Sequence, residues 1–142
     1  MTQREQLVVA VKFRPLKVSD FYEIELQPRH ADAKPMFQAN PLLLHALTES
    51  PFSFTMTVDG KPVAALGPTA NREWWAYLGC DLKRSMVRLV RYTNAMADMY
   101  GPLWSRVDRT NPEGERFMLL LGLRKVKVAE EGVLDTWIRD AR

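Results

Sequence analysis

The segment from Phe52 to Leu66 restricts the fold of this chain more than any other. Phe52, Phe54, Met56 and Val58 alternate with Ser53, Thr55 and Thr57, so an extended strand there has one apolar and one hydroxylated face. Asp59-Gly60 follows. A type I′ turn needs positive φ at both central residues, and this pair meets that need. The return strand is Pro62–Leu66, stopped by Gly67-Pro68. A third strand, Glu73–Leu78 (EWWAYL), is aromatic-rich and ends at Gly79.

Other elements can be placed around this hairpin. Leu7–Phe13 is short and β-branched and reads as a strand ended by Pro15. Ser19 and Asp20 are N-cap residues for a short helix running to about Leu26. Pro28, Pro35 and Pro41 interrupt the next stretch, and Asn40-Pro41 opens a helix through Leu42–Thr48. The longest helix is expected over Leu82–Tyr100, capped by Asp81 and ended by Gly101-Pro102. Leu82, Met86, Leu89, Val90, Thr93, Met96, Ala97 and Tyr100 form its apolar stripe. Leu103–Val107 is the next strand. Asn111-Pro112-Glu113 then starts a helix with Phe117, Leu120 and Leu121 inward and Gly122 closing it. Leu123–Val128 and Val133–Ile138 form a last hairpin around Glu130-Glu131-Gly132.

The expected order is βααβββαβαββ. It predicts an α/β (α+β) fold with a mixed, mainly antiparallel central sheet flanked by helices. No repeat or long linker divides the chain, so 1–142 reads as a single domain. At 46% hydrophobic and 26% charged, the composition excludes a disordered or collagen-like chain. No apolar run approaches a membrane span, and the polar start (MTQREQ) holds no signal core. The one cysteine, Cys80, rules out an internal disulfide and suits a reducing cytoplasm; it reads as a buried, inert thiol. Neither His30 nor His45 has metal-ligand spacing, so no metal site is expected.

Chemistry concentrates in a few places. Lys83 and Arg84 stand in the first turn of the long helix, continued by Arg88 and Arg91. Cations are unusual at the positive end of a helix dipole, and with free amides they make an anion site. A solvated basic face is the plain alternative. Asn111 is explained as an N-cap. Trp75 and Tyr77 face one way on their strand, Trp74 and Ala76 the other, as core or as groove walls. Glu73 beside the indoles is a candidate proton acceptor, with His45 second. A basic stripe without interleaved aromatics argues against a nucleic-acid binder.

The element order, the opening FRPLKVSDFYEI, the Asp-Gly hairpin and the segment NPEGERFMLLLGLRKV together resemble the GNAT acyltransferase superfamily. The narrower resemblance is to small phage-encoded GNAT-like proteins. The resemblance implies that acetyl-coenzyme A would lie between the fourth and fifth strands. Its pantetheine would run along Trp75, Tyr77 and Leu78, with its pyrophosphate at about Gly79–Ser85. On the same resemblance, Lys83, Arg84 and Ser85 would serve the phosphates, and Asn111 the arm. Two departures stand out. CDLKRSM lacks the glycines of the family's phosphate loop, and Met118 stands where many members carry a proton-donating Tyr.

Two functions are therefore expected as alternatives. One is an N-acyltransferase that moves acetyl from acetyl-coenzyme A to an amine by direct attack, with Glu73 or His45 taking the proton. The acceptor would be a small amine or a protein, in the host if the source is a phage. The other is a GNAT-shaped protein without activity, a virion component or a modulator that binds a host protein. Pairing of the terminal hairpin would permit a homodimer.

Overall fold

The computed structural model describes residues 10–80, 82, 85–129 and 134–140. They divide into two compact units, Met1–Gly67 with Ala76–Ser85, and Pro68–Trp75 with Met86–Arg142.

In the first unit, β1 (Val11–Pro15), β2 (Phe54–Val58), β3 (Lys61–Pro68) and β4 (Trp74–Leu78) follow one another across a sheet in that order. β4 is shared between the units, with Ala76 onward in the first. The hairpin forms as its turn dictates: Asp59 has φ +50° and Gly60 φ +82°, and Phe54 pairs with Leu66 and Val58 with Lys61. β3 runs through Gly67-Pro68 instead of stopping there. Gly67 lies so close to Ser53 that a Cβ would sit 2.3 Å from its Oγ, so the glycine serves close approach and not strand termination. The hydroxylated face of β2 is buried as well as the apolar one. Residues 7–9 lie outside the described residues, and β1 reaches two residues past Phe13 to pair Pro15 with Phe54.

The helices of this unit depart from expectation in two ways. α1 (Val18–Glu23) starts after Lys17, not at Ser19 or Asp20, and stops short of Leu26, which bridges to Gly79 instead. Asp20 sits inside the first turn, where its buried carboxylate accepts from the Lys17 N–H at 3.0 Å, from both Arg14 Nη atoms at 2.5 and 2.7 Å, and from Thr55 Oγ1 at 2.9 Å. A 3₁₀ turn (Pro28–His30) leads to α2 (Ala33–Ala39), an unexpected helix. Pro35 occupies its third position, where a backbone N–H has no intrahelical acceptor to lose. α3 (Pro41–Thr48) follows, with Asn40 at the N-cap position but no side-chain cap bond. Phe21, Ala33, Phe37 and Leu44 form the core beneath these helices.

In the second unit, α4 (Met86–Tyr100) buries Leu89, Thr93 and Ala97, three residues four apart on one face. It begins four residues later than Leu82, and the cap assigned to Asp81 lies outside the described residues. Gly101, at φ +104°, ends it. β5 (Leu103–Asp108), β6 (Arg124–Lys127) and β7 (Leu134–Arg139) form an antiparallel sheet in the order β5-β7-β6. The turn assigned to residues 130–132 lies outside the described residues.

α5 (Pro112–Leu120) is capped by Asn111 as expected, Oδ1 accepting from the Gly114 N–H at 2.9 Å. It ends with Gly122 at φ +76°, whose N–H reaches Leu119 O while that of Leu123 reaches Met118 O, the paired bonds of a Schellman close. Its inward residues are Phe117, Met118 and Leu121, whereas Leu120 is 52% exposed. At 100° per residue the three buried residues cluster about one direction, and Leu120 is turned away by roughly 100°. The order is thus βαααβββαβαββ, one helix more than expected, and the class is mixed α/β with antiparallel sheets flanked by helices.

Candidate functional site

The residues assigned to a thioester cofactor centre on β4. Main-chain groups alternate between the two edges of a strand. The Gly79 N–H bonds Val63 O on β3, so Gly79 faces inward, and Tyr77 and Trp75 share that direction. Leu78 faces the outer edge, where its carbonyl accepts from the Gln27 N–H at 3.0 Å. Of the three residues expected along the pantetheine, Trp75 and Tyr77 therefore turn their main-chain groups toward β3, and Leu78 turns its own to the outer edge. By the same alternation Ala76 is the residue in the middle of the strand that directs N–H and C=O outward. Gln27 also donates through Nε2 to Gly79 O at 3.1 Å, so main chain and side chain together close the end of β4.

In the segment after β4, three of the described N–H groups already have acceptors. The N–H groups of Gly79, Cys80 and Ser85 are committed to Val63 O, Glu25 O and Leu82 O. Ser85 is itself buried, so its hydroxyl is not a surface phosphate contact. The amides that α4 leaves without intrahelical acceptors belong to its first turn, from Met86. Lys83 and Arg84 lie outside the described residues. Cys80 is exposed, not buried, and its thiol donates to Leu26 O at 3.3 Å; at the strand end its small side chain leaves the core. Among the described residues, no group of three or more His, Cys, Asp or Glu is placed to hold a metal ion. No described helix is long and apolar enough to cross a membrane.

Both expected proton acceptors are displaced. Glu73, in the second unit, is held by Arg106 through both oxygens, at 2.6 and 3.1 Å, instead of resting against indoles. His45 is exposed on α3, with no enclosure to hold a substrate against it. Asn111 is engaged as the α5 cap. Trp74 is buried, its ring edge-on to Tyr100 at 6.1 Å and its carbonyl accepting from Ser105 Oγ at 3.0 Å. Met118 is buried too, so that position faces the core.

Sequence reasoning missed the group that the first unit does enclose. The His30 ring meets Tyr77 edge-to-face at 5.5 Å, and Tyr77 also meets Phe21 at 5.2 Å and Phe37 at 5.7 Å. Burial, and then the nearby charge of Arg29, hold the His30 imidazole below its ordinary range, while burial pushes the Tyr77 phenol up. Both rings are thus neutral at neutral pH. The signal in sequence was only the Pro-Arg-His turn, because the partner ring lies on another element.

No protein-family model matches the chain, and no curated protein matches it either. Solved structures do match. Ard1 from Thermoplasma volcanium superposes with a TM-score of 0.69 at 15% identity, covering 94% of this chain and 99% of that one. The PaiA N-acetyltransferase from Thermoplasma acidophilum, solved in complex with coenzyme A, gives 0.66 at 12% identity over 92% and 99% of the two chains. A GNAT-family acetyltransferase from Bacillus cereus gives 0.67 at 9% identity over 94% and 99%. Identities this low speak for the backbone alone, and on that ground the chain has the GNAT acetyltransferase fold.

Proposed function

We propose that the protein is an N-acetyltransferase using acetyl-coenzyme A and an amine. The observation that carries this reading is the likeness of fold to acetyltransferases over more than nine-tenths of the chain. β4 supports it: the outward N–H and C=O of Ala76 suit the amide groups of a pantetheine arm. Bound acetyl-coenzyme A would supply an acyl group already activated as a thioester. The chain's task is then to position an amine and take its proton, and positioning alone supplies much of the rate. On the family resemblance, the cationic Lys83 and Arg84 would meet the phosphates. On the narrower resemblance, we extend the proposal to a phage source and a cytoplasmic host amine.

The test is thermal melting with millimolar acetyl-coenzyme A. Binding at 100 times Kd stabilises the fold by about 2.7 kcal/mol, a rise of ~8 °C for a chain of this size. Lys83→Ala with Arg84→Ala should abolish the rise. An unchanged melting temperature in the parent chain would overturn the reading.

One observation favours a second reading. The N–H groups of Gly79, Cys80 and Ser85 are already bonded within the chain, which suits a GNAT-shaped binding protein without acetyl transfer. A flat melting curve together with capture of one host protein would favour it.

A further inference from the structure

Resting on the acetyltransferase reading, we infer that His30 is the group that takes the proton from the acceptor amine, at the end of β4 beside Tyr77.

Geometry places it there. The segment leading into the 3₁₀ turn that carries His30 is fastened to the end of β4 by three bonds: the Gln27 N–H on Leu78 O and the Cys80 N–H on Glu25 O, which make the Leu26–Gly79 bridge, and Gln27 Nε2 on Gly79 O. His30 closes the turn with its own N–H on Gln27 O at 2.8 Å. Its ring packs edge-to-face on Tyr77, the strand neighbour of Ala76, whose outward main chain is assigned to the thioester arm. The ring is half-buried, so one side is reachable. The groups that face it are Arg29 on its own turn and Tyr77 from β4. Burial and Arg29 keep it uncharged, which a proton acceptor requires. Its rivals are occupied or unenclosed: Glu73 is tied to Arg106, and His45 lies open to solvent.

The step balances with the two proposed substrates. The amine nitrogen forms a bond to the acetyl carbon as the C–S bond of the thioester breaks. The amine proton passes to the imidazole, directly or through one water, and the sulfur leaves to gain a proton from solvent. His30 then returns its proton to solvent, and no redox partner is needed.

The chain has two histidines, so His45→Gln in untagged protein leaves His30 as the sole imidazole in a proton spectrum. The expected result is a resonance that titrates below about pH 6.5 and moves when acetyl-coenzyme A is added. In parallel, His30→Gln should retain the melting rise with acetyl-coenzyme A. Thiol release in the presence of a concentrated primary amine should fall ~10²-fold or more in that variant. A stationary imidazole signal while acetyl-coenzyme A raises the melting temperature would overturn this inference and leave the acetyltransferase reading standing. Equal thiol release in parent and His30→Gln would do the same. Absence of any melting rise in the parent chain would remove both.

Discussion

Arg106 holds both carboxylate oxygens of Glu73, Nε at 2.6 Å and Nη2 at 3.1 Å, across 33 residues of sequence. The guanidinium is half exposed and also lies 5.6 Å over the Trp104 ring. With its guanidinium half exposed, the pair is screened by water and couples weakly. A double-mutant cycle of Glu73→Gln and Arg106→Gln in urea should give a coupling energy of about 0.2–1 kcal/mol. Acetyl transfer in Glu73→Gln should fall by less than the ~10²-fold that losing a general base costs.

Asp20 is a different kind of carboxylate. Burial alone would raise it, but Arg14, the Lys17 N–H and Thr55 Oγ1 outweigh burial and hold it below the usual carboxylate range. Asp20→Asn should cost about 2 kcal/mol at pH 7, read from urea unfolding. The folded chain binds fewer protons at this group than the unfolded one. Its contribution is therefore full above about pH 4 and fades as pH falls through the folded value. The gap between parent and Asp20→Asn should accordingly narrow at pH 3. A gap independent of pH would show that packing, not charge, sets the cost.

Asn111 offers a clean separation of roles. As an N-cap alone, Asn111→Ala should cost about 1 kcal/mol and Asn111→Asp close to nothing. Affinity for acetyl-coenzyme A, by isothermal titration, should stay within roughly threefold if the side chain acts as a cap alone. A tenfold loss without a matching stability change would return Asn111 to the binding site.

Gly67 tests how the hairpin closes on its neighbour. Gly67→Ala would bring a Cβ to 2.6 Å from Ser53 Cα, a backbone atom that cannot rotate away. Destabilisation of about 1–3 kcal/mol is expected. Gly60→Ala meets no atom within 4 Å and should cost about 1 kcal/mol through its positive φ alone. Thermal melts of the two variants rank them.

What could be read from the sequence was what neighbouring residues decide together. Asp59-Gly60 specified its turn, and Asn111-Pro112 its cap, because a few adjacent atoms settle both outcomes. α2 escaped because Pro35 reads as a helix breaker until its place in the first turn is known. Leu120 was assigned inward although the sheet beneath selects Met118. The pairings of Glu73 with Arg106 and of His30 with Tyr77 join distant segments, so charge and ring type alone gave no sign of them. The ion pair that occupies Glu73 is invisible in local sequence for that reason.

The Gln27 clasp on the last rung of β4 limits what can be added alongside that strand. A polypeptide laid there in extended form would have to displace the Gln27 N–H from Leu78 O before it found a rung at that end. The fold thus discourages sheet-to-sheet sticking through this end of the strand.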